Sequence, residues 1–342
     1  MSKLTLYAPS PFRIRTIDTS TRTVSDPVSS LEGGLSHGGI LLLDAPRSLV
    51  YRIGNSEHVD EIDVSNPKSP TAAHLAAGKG AKLLCAALAG GFGQPPHVDQ
   101  RLYCGGSDGF IYTFPLDPSG KTRKTNSAPA PYEVEGAHGR PIVDLAVTSD
   151  GTHAFALISS SDGKAAAVTK DLKPMPHNPR VHYYADRPQW NTIPHPDHIS
   201  LTPDERHLIV TDFGGKKCTI IDTTTTKSYE RPLADYAGVP VHVDNTTACF
   251  LCPGRFHSID LESGEPKKGP EMTGITTSLF YFAATGAGCA FFASPYYNKV
   301  SCCLSDCNGN GQTFIFSEHS KDLTLETHAD MTLGIGVITE GG

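Results

Sequence analysis

The sequence is poor in charge, in tryptophan and in long apolar runs. Asp, Glu, Lys and Arg together make up 19% of its 342 residues. That is too little for a coiled coil or for a chain kept unfolded by its own charge. The net charge of -7 leaves no general basic surplus, which argues against a generic nucleic-acid binder. No charge falls between Glu271 and Lys299, but Ser278–Ala293 (SLFYFAATGAGCAFFA) is broken at its centre by ATGAG. It reads as two buried strands joined by a Gly turn, since a membrane span needs about 20 mainly apolar residues. Helical apolar spacing is missing as well: no stretch of ten or more residues carries it between the strand-like segments. That argues against a doubly wound α/β fold. The G-x-S-x-G strings at Gly34–Gly38 and Gly105–Gly109 precede no helical pattern and so make no nucleophile elbow, and there is no phosphate loop and no G-x-G-x-x-G between a strand and a helix.

The cysteines number nine and are dispersed, from Cys85 to Cys307. An odd, scattered set is not a secreted disulfide framework. Cys249-x-x-Cys252 and Cys302-Cys303-x3-Cys307 have no second pair of matching spacing and read as ordinary reduced cysteines. The opening MSKLTLYAPSPFR carries no basic region followed by an apolar run. The expectation is a reducing, cytoplasmic compartment, with no membrane and no nucleic-acid partner.

Turn formers are plentiful, with 33 Gly and 26 Pro. They punctuate a repeat: apolar strand, polar turn, apolar strand, Gly/Asp/Asn turn, alternating strand, polar stretch. Its clearest copy is HISLTPDERHLIVTDFGGKKCTIIDTTTT, starting at His198, where Pro203 sits at the second position of a tight turn. IVDLAVTSDGTHAFALISSSDGKAAAV, starting at Ile142, is a second. Third strands are expected to begin near Ile14, Val59, Phe110, Lys164, Cys218, Phe256 and Val300, at spacings of 45, 51, 54, 54, 38 and 44 residues. The longer spacings hold insertions at Pro115–Tyr132 and Lys173–Pro194, which read as surface loops.

Four-stranded units at roughly 40–45 residues are the pattern of β-propeller blades. A small twisted sheet cannot bury both faces alone, whereas blades packed around an axis bury face against face. GAHGRPIVDLAVTSDG (Gly136–Gly151) and GGSDGFIYTF (Gly105–Phe114) resemble parts of a WD40 repeat, although its Trp-Asp pair is absent. HISLTPDERHLIVTDFGGKKCTIIDT resembles the YVTN-type repeat, and IDVSNPKSP (Ile62–Pro70) is similar to blade ends in several propeller families. The resemblance implies an all-β, seven-bladed β-propeller filling residues 1–342 as one domain. Its blades would cover roughly 30–70, 75–120, 135–172, 194–232, 236–268, 273–318, and 325–342 with 1–28. The last blade would be closed by the C-terminal strand, DMTLGIGVIT, pairing with strands from the N terminus.

Five histidines precede or enter a first strand of a unit: His37, His138, His198, His242 and His328. In a propeller such positions converge at one end of the central channel. His198, Asp144, Arg140 and His242 are the candidates for acid/base chemistry there. His37, His198, His242 and His328 are the candidates for a metal. Aligning TSDG with TPDE puts Asp144, not His138, in the place of His198. A separate segment, VHYYADRPQWNTIPHP, carries Tyr184, Arg187, Trp190 and His195, residue types that dominate contact surfaces.

Two functional readings follow. One is a protein-interaction scaffold that binds protein partners through rim loops. The other is a propeller-type enzyme (lactonase, lyase or cyclase) with a small molecule at a polar or metal-binding channel mouth. No cofactor is predicted from a motif, and a divalent metal is the one such group these residues could hold.

Overall fold

Segments with apolar residues on both sides of the alternation should be strands buried on both faces, and they are. A computed structural model describes residues 4–9, 14–18, 23–24, 40–44, 47–53, 56–66, 71–76, 80–88, 101–115, 130–134, 137–149, 151, 153–158, 180–182, 196–212, 216–225, 227–233, 240–243, 245–252, 255–271, 282–286, 289–294, 299–305, 311–316 and 334–340. Among these, every named element is a strand. The chain starts with β1 (Leu4–Pro9), β2 (Ile14–Asp18) and β3 (Thr23–Val24). Next come β4 (Ile40–Asp44), β5 (Leu49–Ile53), β6 (His58–Asp63) and β7 (Thr71–Ala76). They are followed by β8 (Leu83–Leu88), β9 (Arg101–Gly106), β10 (Phe110–Pro115) and β11 (Ala130–Glu133). Then come β12 (Ile142–Val147), β13 (His153–Ile158) and β14 (Arg180–His182). The following group is β15 (Pro196–Leu201), β16 (His207–Asp212), β17 (Lys217–Asp222) and β18 (Ser228–Pro232). After it run β19 (Pro240–Val243), β20 (Thr247–Cys252), β21 (Arg255–Asp260) and β22 (Pro266–Glu271). The last are β23 (Phe282–Gly286), β24 (Cys289–Ser294), β25 (Lys299–Ser305), β26 (Gly311–Phe316) and β27 (Gly334–Glu340).

The groups are antiparallel meanders: β8 to β11, β15 to β18 and β19 to β22 form separate four-stranded sheets. The uncharged stretch that could have suggested a membrane is the hairpin β23–β24. No helix among the described residues is long and apolar enough to cross a membrane.

The groups pack face to face. Leu102 and Cys104 of β9 join a cluster with Tyr51, Ile53 and Val59 of the preceding sheet. Tyr103, between them, joins the opposite cluster with Ile142, Leu145 and Ala156 of the following one. The same alternation sends Phe155 and Leu157 to Leu208 and Val210, and sends Ile209 to Phe250 and Ile259. Successive side chains on a strand point to opposite faces, so a strand between two neighbours must be apolar throughout. Close approach has a sequence cost: a Cβ on Gly105 would lie 2.6 Å from the Ile142 side chain.

Two features depart from a row of separate sheets. β27 pairs with β1 antiparallel, Leu4 opposite Glu340 and Tyr7 opposite Val337. It also pairs parallel with β23 and, at Ile335–Ile40, with β4, so three groups merge into a 12-stranded sheet. The insertion Lys173–Pro194, expected to be a loop throughout, contributes β14, which pairs parallel with β13. The third strand expected near Lys164 lies outside the described residues.

Candidate functional site

Four of the first strands share an irregularity. The pairing with the next strand slips between Leu83 and Cys85, between Ile142 and Asp144, between Pro196 and His198, and between Pro240 and His242. Such a bulge inserts one residue, bends the strand and re-aims a side chain. It makes Cys85, Asp144, His198 and His242 equivalent positions on consecutive strands. These strands are also spatial neighbours: β8 meets β12, β12 meets β15, and β15 meets β19.

Asp144 and His198 come together. The Asp144 carboxylate is buried. Its Oδ1 accepts the Leu145 N–H at 2.8 Å, and its Oδ2 accepts the Ile199 N–H at 2.7 Å. The second bond crosses from one sheet to the next. His198 Nδ1 lies 3.5 Å from the same Oδ2, with the imidazole 27% exposed. The carboxylate is thus fixed by two backbone donors, and the ring nitrogen near it is His198 Nδ1. A fixed carboxylate beside an imidazole is the arrangement that orients a general base.

Cys85 begins the row and was not among the sequence candidates. Its thiol donates to the Ile142 carbonyl at 3.5 Å. Burial pushes this thiol well above its ordinary value, and the Asp144 charge and Cys104 push the same way. It is therefore a packed thiol, not a nucleophile. What hid it was the bulge, which only strand pairing reveals.

Arg140 closes the turn before β12. Its Nε donates to the Ala137 carbonyl at 3.0 Å, and its N–H donates to the same oxygen at 2.9 Å. His138, in that turn, is exposed at φ 50° and does not share the bulge position. His242 holds the equivalent place on β19, opposite Cys249 in the register. His37, His328, Tyr184, Arg187, Trp190 and His195 lie outside the described residues. Among the described residues, His198 therefore meets one of its predicted companions, Asp144.

A second cluster was not anticipated. His58, Asp60 and His74 each present a ligand atom, all within 4.8 Å of one another. His58-Val59-Asp60 lies on β6 and His74 on β7, directly opposite Asp60. The alternation His-x-Asp on an expected strand was its only signal in the sequence.

No family model matches the sequence, and no curated protein matches it. Solved structures do resemble it. A proposed 6-phosphogluconolactonase from Bacteroides uniformis is 15% identical with a TM-score of 0.59, and 99% of each chain is covered. A protein of unknown function from Desulfotomaculum acetoxidans is 12% identical at a TM-score of 0.58, over 92% of this chain and 99% of the other. AztD from Citrobacter koseri is 12% identical at a TM-score of 0.57, over 99% and 98%. The likeness is one of fold. This chain has a β-propeller fold.

Proposed function

We propose that this chain is a seven-bladed propeller enzyme that hydrolyses a small ester or lactone, with His198 as general base and Asp144 as its orienting carboxylate. The observation that carries the reading is the Asp144–His198 contact across two adjacent first strands. The blade number is supported by the succession of contacts β4, β8, β12, β15, β19, β23, β27 and back to β4. The ester class draws on the fold shared with the proposed 6-phosphogluconolactonase. In the reaction, His198 Nε2 removes a proton from water as its oxygen bonds to the carbonyl carbon. The ring ester C–O bond then breaks, and the imidazolium returns the proton to the departing alkoxide. We place the protein in a reducing cytoplasm, on the dispersed cysteines.

The test is hydrolysis of a panel of aldonolactones, phosphorylated and not, by the full chain. His198→Asn should lower kcat by about 10²–10⁴ while leaving the melting temperature nearly unchanged. Asp144→Asn should lower kcat and also loosen the sheet contact made by its Oδ2. Lack of turnover by the wild type, or full turnover by His198→Asn, defeats the proposal. Stoichiometric capture of a protein partner, lost on Trp190→Ala or Arg187→Ala, would then favour the interaction scaffold.

A further inference from the structure

The cluster on β6 and β7 stands apart from the Asp144–His198 pair and does not depend on the enzyme reading. We propose that His58, Asp60 and His74 form a binding site for a divalent transition-metal ion of the zinc type.

Strand geometry brings the three together. Residues 58 and 60 are two apart on β6 and therefore share a face. His74 stands opposite Asp60, and Ala76 stands opposite His58, so His74 is the diagonal neighbour of His58. Diagonal neighbours on one face lie within reach of long side chains. His74 Nδ1 is 2.7 Å from Asp60 Oδ1, and His58 Nε2 is 3.5 Å from the same oxygen. The rings meet edge to face, with centroids 4.9 Å apart and planes at 73°. Two imidazole nitrogens and one carboxylate oxygen thus converge on a common region. Around zinc, bonds of about 2.0–2.2 Å place neighbouring ligand atoms roughly 3.3 Å apart in a tetrahedron. Small side-chain rotations bring the three atoms to that spacing.

The surroundings are built for a ligand. Asp60 is buried, and its other oxygen, Oδ2, accepts from Arg52 Nη1 at 3.1 Å. Arg52 is itself among the largest fully buried side chains. This pair fixes the carboxylate from behind and leaves Oδ1 as the oxygen facing the imidazoles. Carboxylate ligands held by a second hydrogen-bonding partner are the rule in metal sites. The front is accessible, with the His58 side chain 24% exposed and that of His74 43% exposed. Three protein ligands leave a coordination position for water.

The donor set selects the ion. Calcium and magnesium take oxygen ligands, whereas two imidazoles and one carboxylate suit zinc, nickel, cobalt or copper.

The test titrates the full chain with zinc chloride in a non-chelating buffer, with a phosphine reductant keeping the thiols reduced. Wild type should bind one more equivalent than His58→Gln/His74→Gln. Each single variant removes a direct ligand and should weaken that site by more than the roughly 10–100-fold that loss of an outer-shell partner costs. Zinc should raise the melting temperature of the wild type more than that of the double variant. Cobalt should give visible d–d absorption that is lost in His74→Gln and lacks the ultraviolet thiolate-to-cobalt band. His74→Gln changes a half-exposed side chain and leaves Asp60–Arg52 intact, so it tests the site even if the double variant folds poorly. Equal stoichiometry and affinity in wild type and His74→Gln, or a cobalt spectrum unaffected by the substitution, overturns the proposal.

Discussion

Cys85, Cys104 and Cys218 are buried free thiols. Burial raises all three, and it lifts Cys218 to about 12 even though the Arg231 charge pulls the other way. At pH 8 a thiol titrating there holds roughly a thousandfold less thiolate than an ordinary cysteine. In the native protein these three should stay unmodified by iodoacetamide and become labelled only after denaturation, which peptide mass mapping reads directly. Labelling of Cys218 at the rate of a free thiol would contradict its burial. Residue by residue, the sequence shows the chemistry best where a turn repeats. TSDG and TPDE align Asp144 with His198 as equivalent positions, whereas the contact between the two emerges only from the packing of neighbouring sheets. The His58–Asp60–His74 cluster escapes such reading because His74 enters only through strand register, 14 residues beyond Asp60. The Arg52–Asp60 pair escapes it for the same reason, since the two face each other across neighbouring strands.

The turns that follow the third strands repeat one design. An Ile-Asp pair ends β6, β17 and β21, and Ile62, Ile221 and Ile259 are buried. The aspartate then accepts backbone N–H groups from the turn it starts. Asp63 takes that of Ser65; Asp222 takes those of Thr224 and Thr225; Asp260 takes those of Glu262 and Ser263. An aspartate that bonds to its own backbone two residues on folds the chain into a turn without help from the core. The Thr225 N–H is the chief cause that holds the Asp222 carboxyl below its ordinary value, against the opposing effect of burial. The sign is that of a depressed acid. Its contribution is complete above the usual carboxylate range and is lost as pH falls through the folded value. Asp222→Asn should therefore lower the denaturant midpoint at pH 7, and the difference from wild type should shrink in acid below the ordinary carboxylate range. Chemical unfolding at several pH values checks this, and a difference that grows in acid would refute it. At this scale the sequence is most legible. Third strands expected near Ile14, Val59, Phe110, Cys218, Phe256 and Val300 begin at Ile14, His58, Phe110, Lys217, Arg255 and Lys299. The turn chemistry is local, so it survives in the sequence. The bulges at Cys85, Asp144, His198 and His242 are not local, because a slip exists only between two strands.

For the molecule as a whole, burial on both faces explains why charge is scarce. The sheets β8 to β11, β12 to β14 and β15 to β18 each serve as the wall of two apolar clusters, as β9 does with Leu102 and Cys104 on one side and Tyr103 on the other. The merging of three groups through β27 was not legible, because DMTLGIGVIT carries apolar residues that suit several partners equally. The antiparallel match of β1 with β27 has a mechanical meaning. Leu4, where the chain enters β1, stands opposite Glu340, where it leaves β27. Tension applied through these two points pulls the strands apart sideways, and their hydrogen bonds open one at a time, as in a zipper. Stretched between its ends in an optical trap, the protein should yield first at this seam and at low force. Handles moved to interior strands should load the remaining sheets together and resist far longer.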